Sequence, residues 1–236
     1  MDGFDMRLDE AGGYGKRLSD ATKVPAGYTE DVSGLVTPER LRRPSPEVQI
    51  TGRVEGDMFR RLNEDLSKIE KGSGSKDTLD VTLASFGGDV YFGFAIFDRI
   101  RQFGKKHHAP VTITGYGPIM SMGAFILQAG DIRRMPESAT MLIHPMTGGM
   151  FGNTEDVEFS LEQRKKIEKE YQKIVAERVS QARIGRLKGD EMTKENIQKN
   201  RVSRKRIRKI MYANGNNGTY FTAREALDFG LIDEIV

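Results

Sequence analysis

Apolar residues alternate with polar ones in several short stretches and recur every three or four positions between them, a rhythm that predicts strands separated by helices. Val48-Gln-Ile-Thr-Gly52 reads as a first strand, followed by Met58, Phe59, Leu62, Leu66 and Ile69 at helical spacing. Leu79-Asp-Val-Thr-Leu-Ala84 reads as a second strand that runs into Ser85-Phe-Gly-Gly-Asp89, with a helix over 90–103 behind it. A third strand, Val111-Thr-Ile-Thr-Gly115, is β-branched and is punctuated by Tyr116-Gly-Pro118. Residues 122–130 form a short apolar helix stopped by glycine, and Ala139-Thr-Met-Leu-Ile143 forms a further strand. Thr222 caps a helix over 223–229, and 231–236 closes the chain as a strand. Strands alternating with helices at this spacing predict an α/β fold with a mostly parallel sheet and right-handed crossovers.

Three segments stand apart from that rhythm. Residues 1–46 are polar and dotted with glycine and proline, with no sustained period. They read as an arm, either a disordered tail or a segment ordered by a neighbouring subunit. From Asn153 to about Ala182 the pattern is strongly helical, with Glu155 and Asp156 in the first turn and Leu161, Ile167, Tyr171, Ile174, Val175 and Val179 as its apolar residues. Such a helix outreaches a compact domain and predicts packing on another subunit. Gly185 and Gly189 break it, a short helix over 190–198 follows, and Arg201, Arg204, Lys205, Arg206, Arg208 and Lys209 form a basic cluster within an insertion at about 187–213. With Ile207 and Ile210 on one face and no interleaved aromatics, that cluster reads as a solvated or interface helix, with phosphate binding as the alternative.

Composition narrows the chemistry. The 236 residues carry 37 Lys and Arg against 34 Asp and Glu, too even a balance to imply nucleic acid. Without cysteine there is no thiol nucleophile, disulfide or cysteine metal ligand, and no metal site is expected. No apolar run approaches a membrane span and the N-terminus does not look secretory, so the reading is a cytoplasmic protein. Only His107, His108 and His144 can supply an imidazole. The first two lie in a basic connection whose neighbours offer no carboxylate pair or metal spacing, and they read as solvated loop residues.

Ser121 stands where a strand meets an apolar helix. Its hydroxyl can project from the turn while N–H groups at the helix start remain unpaired, which suits a nucleophile beside an oxyanion site. Ser is also a preferred helix cap, so from spacing alone the same position reads first as a structural N-cap. His144 ends the next strand and meets Ser121 only in space. Gly87-Gly88, between a strand and a helix, permits close backbone approach and outward N–H groups, or is simply a tight turn.

Together these stretches resemble ClpP, the proteolytic subunit of the Clp protease. Ser121-Met-Gly-Ala-Phe125 resembles that family's nucleophile segment and Met141-Leu-Ile-His-Pro145 with Gly148-Gly149 its histidine segment. Ser85-Phe-Gly-Gly88 resembles its substrate-strand and oxyanion loop, and Phe221-Thr-Ala-Arg-Glu-Ala226 with Phe229-Gly-Leu-Ile-Asp233 its closing helix and strand. The resemblance covers about 47–236. It implies a ClpP/crotonase-like fold of repeated β-β-α units with a protruding handle helix at about 153–186. It further implies a serine endopeptidase with Ser121 as nucleophile, His144 as base, Gly88 and Met122 N–H groups as the oxyanion hole, and Gly87 on the substrate strand. A homo-oligomer of two stacked seven-membered rings, fourteen subunits enclosing a chamber, would receive peptide or unfolded protein from a partner AAA+ unfoldase. The chain has no phosphate-binding loop of its own, and no cofactor is implied.

The chain departs from the family at the third catalytic position. A gapless match through Thr222-Ala223 places Gly218 where the family carries Asp, preceded by Asn217 and Asn216. Asn217, Asn216 or Asn214 would then orient the imidazole, or a carboxylate such as Asp190 or Glu191 would come from the insertion. Replacing a triad Asp by Asn in a serine protease lowers turnover by about 10⁴. A catalytically impaired structural subunit, or a processing protease for an assembly, are therefore the competing readings. Phe86 also stands where the family has proline.

Overall fold

The computed structural model describes residues 45–149 and 151–236; the N-terminal arm thus lies outside the described residues apart from its last two positions. Strands β1 (Glu47–Val54), β2 (Leu79–Gly88), β3 (Val111–Met120), β4 (Ile132–Met135) and β7 (Glu234–Ile235) lie side by side in that order, all parallel. Val48 and Ile50, Leu79, Val81 and Leu83, and Val111 and Ile113 are each buried at alternate positions, the period of two that pleating imposes. Helix α1 (Gly56–Lys71) buries Met58, Leu62 and Leu66 at four-residue spacing, and α2 (Val90–His107) buries Ile96, Phe97, Ile100 and Phe103.

The third strand does not end at Gly115. Its first half pairs with β4, whereas Pro118–Met120 pairs with β5 (Thr140–Ile143), so the sheet forks at the intervening residues. Against β2 the register jumps from Leu83 opposite Gly115 to Ser85 opposite Ile119, and Gly117 has φ 59°. Tyr116-Gly-Pro118 is therefore a bulge inside one strand. It accommodates a proline that has no N–H to give and re-aims the chain toward β5. Strand β6 (Thr219–Thr222) then adds antiparallel to β5.

Helix α3 (Met122–Leu127) is buried throughout and leaves directly from β3. The handle, α4 (Thr154–Gly185), has 32 residues and is therefore roughly 48 Å long. Asn153 caps it reciprocally with Asp156. Glu168, Tyr171, Gln172, Val175, Ala176, Val179 and Ala182 are buried, with the Tyr171 ring stacked 5.0 Å from Phe125 of α3, while the turns before Glu168 project.

The insertion folds back onto this handle. Thr193 takes the N-cap of α5 (Lys194–Asn200), accepting from Asn196 N–H at 3.1 Å; the expected helix over 190–198 is thereby replaced by a 3₁₀ turn at Gly189–Glu191 and a later α5. Helix α6 (Arg204–Met211) buries Ile207 and Met211 and turns its arginines and lysines outward. A short turn, α7 (Ala213–Asn216), contains three residues with positive φ, Asn214, Gly215 and Asn216. Helix α8 (Ala223–Phe229) is capped by Thr222 as expected. No helix of the described residues is long and apolar enough to cross a membrane.

Candidate active site

Two parallel strands deliver the two candidate catalytic side chains to one place. Met120 is in register with Leu142, and Ser121 N–H donates to Leu142 O at 2.9 Å, so Ser121 and His144 leave adjacent strands at their C-terminal ends within a residue of the same level. This is where open α/β sheets place their sites. The antiparallel pairing of Ile143 with Thr219 continues the row and sets Gly218 opposite His144.

Ser121 has φ 55° and ψ −121°, an uncommon conformation for a residue with a side chain, and its hydroxyl makes no capping bond to α3. A cap serine would sit in the extended region and spend its oxygen on the second or third helical N–H; this one does neither. The strain is held by the bond to Leu142 O and by Phe125 N–H donating to Ser121 O at 3.3 Å.

Gly87 lies against the same turn. A Cβ there would come 2.6 Å from Ser121 Cβ and 3.1 Å from Met122 N, and φ is +94°, so only glycine fits. Ser85, buried under this turn, donates from Oγ to Gly52 O at 2.6 Å and accepts from Gly87 N–H at 3.0 Å. Gly87 N–H is thereby occupied. Phe86, just before it, is 72% exposed.

The far end of α3 is held by guanidinium groups. Arg178 of α4 donates to Gln128 O at 2.9 Å and to Gly130 O, and Arg101 of α2 donates to Ala129 O at 3.3 Å while pairing with Asp131 at 2.5 Å. Cations at a helix C-terminus satisfy its orphan carbonyls and complement its dipole. Burial, with Arg133 and Arg101 close by, pulls the Arg178 guanidinium down to about 10. Beside it Arg133 is buried to 1% and is held by Gln128 and, through two nitrogens, by Asp233. Strand β4 escaped the sequence reading for this reason: its inward positions are Arg133 and Met135, and an arginine breaks the apolar alternation.

Burial pushes the Asp233 carboxyl up, but the hydrogen bonds and charge of Arg133 outweigh it and leave the group below its ordinary value. A carboxylate depressed by folding contributes stability above its unfolded pKa, and that contribution is lost as pH falls through the folded one. Thermal denaturation should therefore show a fall in midpoint as pH drops below about 4, and Asp233→Asn should flatten that fall.

The remaining sequence candidates are spread differently. Asn214 Nδ2 donates to Gly218 O at 2.9 Å and Asn217 Nδ2 to Asn214 O at 2.8 Å, so both amides brace their own loop. Asn216 is exposed with φ 71°, and Asp190 and Glu191 are exposed in the 3₁₀ turn. Among the described residues none of these five, and no other carboxylate or amide, hydrogen-bonds His144. His107 corrects its reading as a solvated loop residue: it belongs to α2, its ring lies 4.6 Å from Phe103, and Nε2 is 3.3 Å from Glu70 Oε1. That carboxylate comes from α1, far upstream, where neighbours in sequence cannot reveal it. His108 is exposed and left-handed, closing α2.

The Clp protease profile matches residues 39–236. The chain belongs to the Clp protease family. The match begins ahead of β1, inside the segment read from sequence as an arm. Similar curated proteins include the ATP-dependent Clp protease proteolytic subunit 2 of Bifidobacterium longum (strain NCC 2705), 26% identical over 215 residues, covering 90% of this chain and 86% of the relative. The protein of the same name from Rhodococcus jostii (strain RHA1) is 27% identical over 185 residues, covering 78% and 80%. The chain is a ClpP-like serine-type endopeptidase.

Proposed function

We propose that Ser121 is the nucleophile and His144 the general base of this Clp-type peptidase. The observation that carries the assignment is the register of β3, β5 and β6. It stands an uncapped serine in a strained turn beside a histidine at the matching strand end. His144 takes the hydroxyl proton as Ser121 Oγ bonds to the peptide carbonyl carbon; the tetrahedral intermediate then collapses, the C–N bond breaks, and the imidazolium returns its proton to the leaving amine. Water repeats the sequence to release the acyl group.

The oxyanion is received by the N–H groups of Gly88 and Met122. Asp89 N–H donates across β1 to Val54 O at 2.8 Å, so strand alternation turns Gly88 N–H toward the opposite edge, the Ser121 side. Met122 N–H opens α3 and has no acceptor within the helix. Peptide adds as a strand beside Gly87-Gly88. The domain boundary near residue 46, the projecting handle as a contact between two stacked seven-membered rings, a partner AAA+ unfoldase and a cytoplasmic location complete the proposal. The handle's exposed Phe159 and Leu161 support the contact.

The experiment is intact-mass analysis after treatment with a serine-directed phosphonate. One adduct mapping to Ser121 is expected; a folded protein that stays unlabelled would overturn the assignment.

A further inference from the structure

Gly218 leaves the imidazole without the acid that normally orients it, yet the segment after His144 is not left loose. The handle grips it twice, one helical turn apart: Arg164 Nη2 donates to Gly148 O at 2.8 Å, and Glu168 Oε1 accepts from Met146 N–H at 3.4 Å. Glu168 Oε2 accepts from the Tyr212 hydroxyl at 2.7 Å, and the Tyr212 ring lies 4.9 Å from the Arg208 guanidinium. Glu168 is only 8% exposed. A buried carboxylate is costly, and an apolar side chain would fill the same space between handle and insertion without that cost. Both carboxylate oxygens are instead spent on fixing other groups, one of them two residues from His144.

We infer that Glu168 is the positioning residue for His144, and that the insertion, through Tyr212, holds Glu168 in place. The inference rests on His144 being the base. Glu168 acts through the backbone of Met146, not on the substrate. The charged and titratable groups around it are Arg164 and Tyr171 on its own helix and Tyr212 and Arg208 from α6 and its end. The insertion thus supplies, by way of the handle, part of what Asp at Gly218 would have supplied directly.

The test is steady-state cleavage of a fluorogenic peptide, with kcat and KM measured separately, by the assembled full chain carrying Glu168→Gln, Glu168→Leu or Tyr212→Phe. Glutamine keeps an oxygen for Met146 N–H and an amide for the tyrosine oxygen but removes the charge; leucine removes both. Glu168→Leu should lose roughly 10² in kcat at nearly unchanged KM, because the base is displaced while the peptide strand is untouched. Glu168→Gln should recover most of that loss; Tyr212→Phe should fall several-fold.

Wild-type kcat in an assembled Glu168→Leu variant would overturn the inference. So would an unchanged kcat in Tyr212→Phe, which settles the matter if leucine prevents folding. Phosphonate labelling run in parallel separates the two levels. An unlabelled wild type refutes the serine assignment itself. Equal labelling rates in wild type and Glu168→Leu refute only the role of Glu168.

Discussion

Ser121→Ala should reduce peptide cleavage by about 10⁶ in kcat, to the level left by binding and the oxyanion site alone. The same substitution should leave thermal stability and assembly as they are. The Ser121 side chain makes no hydrogen bond to the helix it opens, so alanine vacates only a partly exposed hydroxyl and inherits the same backbone angles. A serine that served as an N-cap would give the opposite pair of results, with activity kept and about 1 kcal/mol of stability lost. His144→Ala should cost nearly as much as Ser121→Ala, and the double variant little more than either, since nucleophile and base act as one unit. A fluorogenic peptide assay with a thermal melt on each variant checks all of this. A wild-type assembly that cleaves nothing would instead make the chain a structural member of a protease ring.

Helix α1, strand β2 and the inner turns of the handle were legible because apolar side chains there follow a single period and face a single core. The strand ends that carry Ser121 and His144 were legible because each is a junction between such segments. The forked sheet was not. The cue Tyr116-Gly-Pro118 says where backbone geometry changes, but only the strands on either side determine whether the chain turns or bulges. Strand β4 hides behind the buried Arg133, whose partner Asp233 is a hundred positions away in the chain, and β6 behind a glycine-rich turn and a length of four residues. The tie between handle and histidine loop is hidden for a similar reason. Glu168 looks like one more charge on a charged helix, and only the docking of α6 buries it. Charges that are satisfied by distant partners leave no local period, so they are the features that sequence reasoning misses.

Gly218→Asp is the substitution that the resemblance read from the sequence invites, since it would place an acid opposite His144. It should instead lower activity by at least roughly 10², by misplacing the base. Gly218 has φ +86°, where a side chain is strained, and a Cβ there would lie 2.5 Å from His144 Cβ and 2.8 Å from its Cα, besides meeting the Ile143 carbonyl. Those are backbone and near-backbone atoms of the strand that carries the base, so relief requires β6 to move away from β5 and takes His144 with it. Backbone strain alone costs about 1–3 kcal/mol, and the lost pairing adds to it, so the melting midpoint should fall by several degrees as well. The acid is therefore excluded here by the close pairing of β5 and β6, and adding only a carboxylate leaves that obstacle in place. Comparing kcat and melting midpoint for Gly218→Asp and Gly218→Ala separates the two influences. Equal losses mean that space and φ decide, whereas a rate above wild type for aspartate alone would mean that the β5–β6 pair yields and the carboxylate reaches the imidazole.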